Sequence, residues 1–291
     1  MEHSKKVLVI GKNSYIGKNF LQYCNMDSEH PSFNQGEEES LDVKAISGKD
    51  GEWRNTKFEG YDTILLLSGI VHTTASEEEY EQVNHIMAVE IAKKAKAALV
   101  NQFIFMSTIA VYGDELEWSG NQIVRNPLTP YAKSKQKAEE DIRRLEDDGF
   151  SVAIVQPPMV YGKDCPGNFT KLVRLIEKVH MFPRYFNSRS SIFVLNLCEF
   201  LRGLIVQQCR GCFVPQNPQY LCSMDVALAL KEKGVPVFMI SGLSGIIKLA
   251  GTMNKKIKKA FGVYQFPMDL SQFEQIEYQK YSVTDSLKLS I

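Results

Sequence analysis

Apolar positions fall in short runs separated by amphipathic stretches. "KKVLVIG" (5–11) is apolar and β-branched and closes on glycine, the pattern of a buried strand. "YIGKNFLQYC" follows with helical spacing. Residues 25–52 are polar and predict a loop region with an acidic knot, "EEES", and one short strand, "DVKAIS". Further along, "YDTILLLSG", "NQFIFMST" and "FSVAIVQPPMVYG" predict buried strands. Between them "EEEYEQVNHIMAVEIAKKAKAAL" and "PLTPYAKSKQKAEEDIRRLE" predict helices. Strands alternating with helices specify an α/β fold, a doubly wound parallel sheet.

Beyond Gly162 the alternation loosens. "NFTKLVRLIEKV" and "SMDVALALKEKG" predict helices, "SIFVLNLCEFLRGLI" a strand running into a helix, and "SGIIKLAGTMNKKIKKAFG" a basic amphipathic helix. The expected organisation is a first domain at 1–161 and a smaller C-terminal lobe at 162–291, with part of 190–206 returning to the first domain.

Charge and composition exclude more than they specify. Lys+Arg and Asp+Glu number 34 each, so no global field recruits nucleic acid. The apolar run near the N-terminus is too short for a signal peptide, and no run of about 18 apolar residues suggests a membrane span; the expected location is the cytoplasm. The six cysteines are scattered, and free thiols are expected. "CRGC" (209–212) has metal-like or redox-like spacing. It lacks a second Cys/His pair and reads as a turn entering a strand, so no metal is expected.

Two stretches carry candidate chemistry. "VLVIGKNSYIGKNF" puts Gly11, Ser14 and Gly17 between a strand and a helix start. Glycines there let backbone N–H groups approach a pyrophosphate at the positive end of the helix. The spacing departs from G-x-G-x-x-G, and a ligand-free tight turn would look the same. At the expected end of the second strand stand Ser47 and, close by, Lys49. A hydroxyl and a cation suit a 2′-phosphate and tilt the expectation from NAD toward NADP, although Lys49 also fits a solvated loop.

The second stretch begins at Pro127. Thr129 is a candidate N-cap and Pro130 a first helical residue. At about 100° per residue, Tyr131, Lys135, Ala138, Ile142 and Leu145 share one stripe, and Lys133, Lys137, Glu140 and Arg144 lie opposite. Lys135 therefore faces inward with Tyr131. Free tyrosine, with a pKa of about 10, is a poor base at neutral pH. A cation one turn away would favour the phenolate and suit it to proton transfer beside a hydride transfer. "FIFMSTIAVYG" offers Ser107 and Thr108 at a strand end to hold the substrate oxygen.

Taken together these residues resemble the extended short-chain dehydrogenase/reductase superfamily, in its NAD-dependent epimerase/dehydratase branch. The resemblance rests on the glycine turn, "LLLSGIVH", Asn84 in "VNHIMAVEIAKKA", "STIAVYG", Tyr131–Lys135 as Y-x-x-x-K, and "VQPPMVYGKDCPGN". It implies a Rossmann-type domain with a substrate lobe. It implies NAD or NADP held by Gly11, Ser14, Tyr15, Ile16, Gly17, Ser47, Lys49, Ser68, Gly69, Asn84, Tyr131, Lys135 and Pro158. The catalytic residues would be Thr108, Tyr131 and Lys135. Ser107, Asn168 and Arg189 would meet a nucleoside-diphosphate sugar. Hydride exchange at C4 is the implied reaction, in bacterial surface-polysaccharide precursor synthesis, by an epimerase or a 4-keto reductase. Ile109 and Ala110 stand where 4,6-dehydratases carry an Asp–Glu pair, which disfavours that activity. A non-catalytic NAD(P)-binding sensor is the alternative. Homodimerisation and contact of 245–261 with a membrane surface stay open.

Overall fold

The computed structural model describes residues 4–26, 40–71, 75–243, 245 and 262–291. All of the basic segment at 245–261 except Gly245, and the acidic knot except Ser40, lie outside the described residues. The chain divides into two units. The first is formed by 1–157, 197–215 and 273–278, the second by 158–196, 216–272 and 279–291.

In the first unit, β1 (Lys5–Ile10) leads into α1 (Tyr15–Met26), β2 (Leu41–Ile46), α2 (Glu52–Asn55) and β3 (Thr63–Leu66). Next, α3 (Glu77–Tyr80) continues through a π-helical segment, Glu81–Ile86, into α4 (Met87–Ala97) and then β4 (Gln102–Met106). A 3-10 turn, Ile109–Tyr112, and the hairpin β5 (Trp118–Ser119) and β6 (Gln122–Ile123) precede α5 (Pro130–Arg143) and β7 (Ser151–Val155). β11 (Gly211–Phe213) completes a six-stranded sheet in the order β11-β7-β4-β3-β1-β2. Every pairing in it is parallel. Its core strands read as unbroken apolar runs because both faces are covered. Leu8, Ile10, Ile64, Leu66, Phe103 and Phe105 pack against Ile91, Ala92 and Ala95 of α4 and Ala138 and Ile142 of α5.

The strand order reverses beside β1. β2 continues the sheet to one side and β3 to the other, with Ile10 opposite both Ile46 and Leu66. Such a reversal opens a crevice at the carboxyl ends of the strands, where ligands bind in open α/β sheets. Gly11 and Ser107 directly follow β1 and β4, and Ser68 stands two residues beyond β3.

The stretch expected to be one strand over 150–162 is two. β7 stops at Val155, and β8 (Met159–Tyr161) belongs to the second unit. Pro157 and Pro158 lie between them, and proline cannot donate to a ladder. The units therefore divide at 157/158, before the expected boundary.

In the second unit β8 pairs in parallel with β10 (Ser191–Phe193), and β9 (Met181–Pro183) with β12 (Phe238–Ile240). Among the described residues its helices include α6 (Asn168–Val179), α8 (Ser223–Glu232) and α9 (Val283–Ser290). Helix α7 (Val194–Val206) begins in this unit and continues in the first from Leu197. Tyr161 is fully buried, and its hydroxyl meets Ser286 Oγ at 2.6 Å and accepts from Asn217 at 2.7 Å. Among the described residues no helix is long and apolar enough to cross a membrane.

Candidate active site

The turn between β1 and α1 is closed by backbone and hydroxyl contacts. Gly11 donates its N–H to the Ile46 carbonyl at 2.9 Å, and the Ser14 hydroxyl accepts from Gly17 N–H at 3.0 Å. Gly11 has φ +127°, and a Cβ on it would lie 2.7 Å from the Ser68 nitrogen. A Cβ on Gly17 would lie 2.2 Å from the Gly11 carbonyl oxygen. Only glycine suits either place. Tyr15 and Ile16, part-buried, open α1. A bare cradle at a helix start, at the sheet's point of reversal, fits the pyrophosphate of a dinucleotide.

At the end of β2 the acids are closer than the sequence suggests. Glu52 accepts the Ser47 N–H at 2.8 Å and pairs with Lys12 at 3.2 Å. Asp50 is held below the usual carboxylate range, first by the Glu52 N–H and also by the Ser47 hydroxyl. Lys49 is exposed. Ser68 packs so tightly that a Cβ on Gly48 would lie 2.4 Å from its hydroxyl oxygen.

Asn84 is 1% exposed. It accepts from Ile70 N–H at 2.8 Å, donates to the Ile70 carbonyl at 3.0 Å, and reaches Ser134 at 3.4 Å. The π-helical segment that carries it widens the helix by a residue, a device common at functional sites. Gly69 lies beside it: a Cβ there would meet Asn84 Oδ1 at 3.0 Å and Lys135 Nζ at 3.3 Å.

Helix α5 starts as its sequence dictates. Thr129 caps it by accepting from Ala132 N–H at 3.1 Å, with Pro130 in the first turn. Lys135 is 3% exposed, whereas Lys133 and Lys137 are solvated. Its ammonium donates to the Met106 carbonyl at 2.8 Å and lies 4.6 Å from the Phe105 ring centroid. Tyr131 hydrogen-bonds Thr108 and meets the Tyr80 ring edge-on at 6.1 Å. Thr108 also caps the 3-10 turn, accepting from Ala110 N–H at 3.1 Å.

The electrostatics differ from the expected tuning of tyrosine by lysine. Burial pushes Tyr131 up to about 12, opposed only in part by the Thr108 hydrogen bond. Burial pushes Lys135 down to about 8, opposed by the charge of Glu139. The lysine spends its ammonium on a backbone carbonyl, so desolvation dominates both groups.

The first unit thus brings together Gly11, Ser14, Gly17, Ser68, Gly69, Asn84, Thr108, Tyr131 and Lys135 along the carboxyl ends of β1, β3 and β4. Ser107 is 4% exposed and donates its hydroxyl to Glu139. Pro158, Asn168 and Arg189 belong to the second unit. Asn168 is exposed at the start of α6, and Arg189 forms bridges with Leu221 and Tyr264. Sequence reasoning missed Glu139, Gln156, Arg125 and Glu52. Glu139 alone left a signal: it lies one turn beyond Lys135, on the inward stripe.

Fold and site together define an α/β protein with a glycine turn suited to a dinucleotide and a part-buried tyrosine one helical turn from a buried lysine. The chain belongs to the NAD dependent epimerase/dehydratase family, whose model matches residues 7–195. It is 27% identical over 213 residues to the N-acetyl-alpha-D-glucosaminyl-diphospho-ditrans,octacis-undecaprenol 4-epimerase of Escherichia coli O157:H7, covering 67% of this chain and 62% of that one. The UDP-glucose 4-epimerase of Vibrio cholerae is 25% identical over 222 residues, covering 68% and 65%. The chain thus spans less than two thirds of the length of these curated relatives. Among solved structures, the Bordetella bronchiseptica enzyme WbmH in complex with NAD+ superposes with a TM-score of 0.72 at 15% identity, covering 99% and 97% of the two chains. That likeness concerns the fold.

Proposed function

We propose that the chain catalyses hydride transfer at C4 of a diphosphate-linked sugar and releases the C4 epimer. The observation that carries this reading is the meeting of Thr108, Tyr131 and Lys135 at the end of β4, beside a glycine turn suited to a dinucleotide. A bound nicotinamide supplies the hydride acceptor and, when reduced, the donor. The chain's own residues handle the oxygen. Thr108 holds the C4 oxygen by its hydroxyl. Tyr131 takes the proton as the C4 hydroxyl becomes a carbonyl and returns it when hydride is delivered to the other face. Burial opposes the phenolate this requires, so positive charge must gather at the phenol during turnover, and Lys135 brings one such charge within a helical turn.

The names of two curated relatives, both 4-epimerases, support epimerisation over net reduction. Ile109 and Ala110 have no proton to move, which argues against 4,6-dehydration. For the carrier we propose a nucleoside diphosphate met by Asn168 and Arg189, with the product serving surface-polysaccharide synthesis. For the cofactor we propose NAD rather than the NADP first expected from Ser47 and Lys49. Asp50 and Glu52 put carboxylates at the end of β2, where an acid suits a ribose hydroxyl and repels a 2′-phosphate.

Incubation with a panel of nucleoside-diphosphate sugars and their 4-keto forms tests this. Product stereochemistry and nicotinamide absorbance are followed together. Epimer without net change in absorbance supports the reading. Stoichiometric oxidation of the reduced cofactor replaces it with a reductase, and binding of cofactor with no turnover of any sugar overturns it.

A further inference from the structure

Glu139 is the most deeply buried charge in the first unit's site, with 0% exposure. It lies on α5 one turn beyond Lys135. The Ser107 hydroxyl donates to its Oε1. Gln156 donates to both oxygens, at 3.0 and 2.8 Å, and Arg125 pairs with Oε2 at 2.6 Å. Gln156 is held in turn by the Tyr112 hydroxyl, which donates to its Oε1 at 2.9 Å. Arg125 lies 5.9 Å from the Tyr112 ring centroid.

A buried carboxylate is costly to desolvate, and costlier still when one partner of its pair is lost. The groups around it all donate, so the site calls for acceptors on both oxygens, which a carboxylate offers and an amide does not. The location is what gives the charge a use. Ser107 adjoins Thr108, the hydroxyl bonded to Tyr131, and Lys135 shares the helix face. Lys135 otherwise sees no anion among the contacts described above. From β4 it meets a carbonyl and a phenyl ring, and Asn84 of the π-helical segment flanks the same Gly69; on its own helix Tyr131 is the other titratable neighbour. Glu139 itself faces Arg125 from the loop before α5, Tyr112 from the 3-10 turn and Cys212 from β11.

We propose that Glu139 is a positioning residue whose carboxylate sets the charge state of Lys135 and fixes Ser107, and so Thr108, with Arg125 as the counterweight that limits its field. This rests on the proposed function for its purpose but not for its test.

The two charges make opposite predictions. Glu139→Gln keeps the shape and one acceptor oxygen, turns the other acceptor into a donor, and removes the anion that favours the ammonium, so Lys135 should titrate lower. Arg125→Met leaves the carboxylate in place, still bonded by Ser107 and Gln156, with its field unshared, so Lys135 should titrate higher. NMR titration of the Lys135 ammonium in the full chain without cofactor reads both. The wild type should titrate near its value of about 8, with the variants displaced by about one pH unit in opposite directions. The alkaline limb of kcat/KM on a turned-over sugar should follow the same displacements, with dinucleotide affinity within about twofold of wild type. Displacement of both variants in one direction, or of neither, overturns the proposal. If Glu139→Gln does not fold, the upward displacement in Arg125→Met decides alone. If no sugar is turned over, the proposed function fails while the NMR titration still judges Glu139.

Discussion

The glycine turn and the Thr108–Tyr131–Lys135 cluster lie along the same sheet edge and solve opposite problems. The turn works by having no side chains. Gly11 and Gly17 bring backbone within 2.7 and 2.2 Å of where a Cβ would stand. The cluster works by desolvating side chains that resist it, the part-buried Tyr131 pushed up to about 12 and the buried Lys135 down to about 8. The turn should therefore tolerate changes of charge around it but not of volume. The cluster should tolerate small changes of volume but not the loss of a proton site.

Tyr131→Phe is the largest expected break. It removes one hydroxyl and keeps the ring that packs on Tyr80. Turnover should fall by about 10³-fold or more, while dinucleotide affinity stays within a few-fold and thermal stability is close to wild type. Steady-state kinetics and cofactor titration check this. Substantial turnover in the variant would mean that another group moves the proton.

Gly17→Ala should do the converse. The added methyl meets the Gly11 backbone carbonyl, which has no flexible end to swing away. Loss of about 1–3 kcal/mol of stability is expected from overpacking alone. Dinucleotide affinity should fall by about tenfold or more, since the turn must reshape to accept the methyl. Calorimetric unfolding and cofactor titration read the two effects. An alanine variant with unchanged dinucleotide affinity would show that the turn is only structural.

The same division explains what was legible in the sequence. Gly11, Ser14 and Gly17 are local and announce themselves, and the inward place of Lys135 follows from helical periodicity within one element. Glu139 shares that periodicity, but a glutamate in "KQKAEED" looks like the charged exterior of a helix. Only Ser107, Gln156 and Arg125, from three other segments, identify it as interior. The acids after β2 were hidden for a similar reason. Asp50 and Glu52 return to Ser47 through a short helix that the polar stretch 25–52 does not signal. The proline pair in "VQPPMVYG" carried its own warning, but the apolar run on either side outweighed it, and one strand was expected where two stand. In the second unit Tyr161 is bonded to Asn217 and Ser286, pairings remote in sequence that no periodicity encodes.

The smallest expected effect uses two lysines of one helix, Lys135 and Lys137. The folded chain holds Lys135 at about 8, against an ordinary value of 10.5. Between these values the unfolded state binds more protons than the folded one, so stability contributed by this group rises with pH from about 8 to about 10.5 and levels off above. Tyr131 opposes it later. Raised from 10.0 to about 12, it keeps its proton in the folded state and loses it in the unfolded state, so its contribution falls as pH rises beyond about 10. Burial also raises the thiols of Cys198, Cys209 and Cys212, whose contributions fall as pH rises through the same range, so Lys135 is read from pH 8 to 10 as the difference between wild type and variant. Lys135→Met should remove from the curve a rising component of about 2 kcal/mol between the ends of the window. Lys137 pairs with Glu81 at 3.0 Å but is 56% exposed. Lys137→Met should shift the whole curve by no more than about 0.5 kcal/mol and leave its slope intact. Denaturant unfolding at a series of pH values measures both. Equal slopes in the two variants would mean that Lys135 is hydrated in solution and that burial does not set its charge.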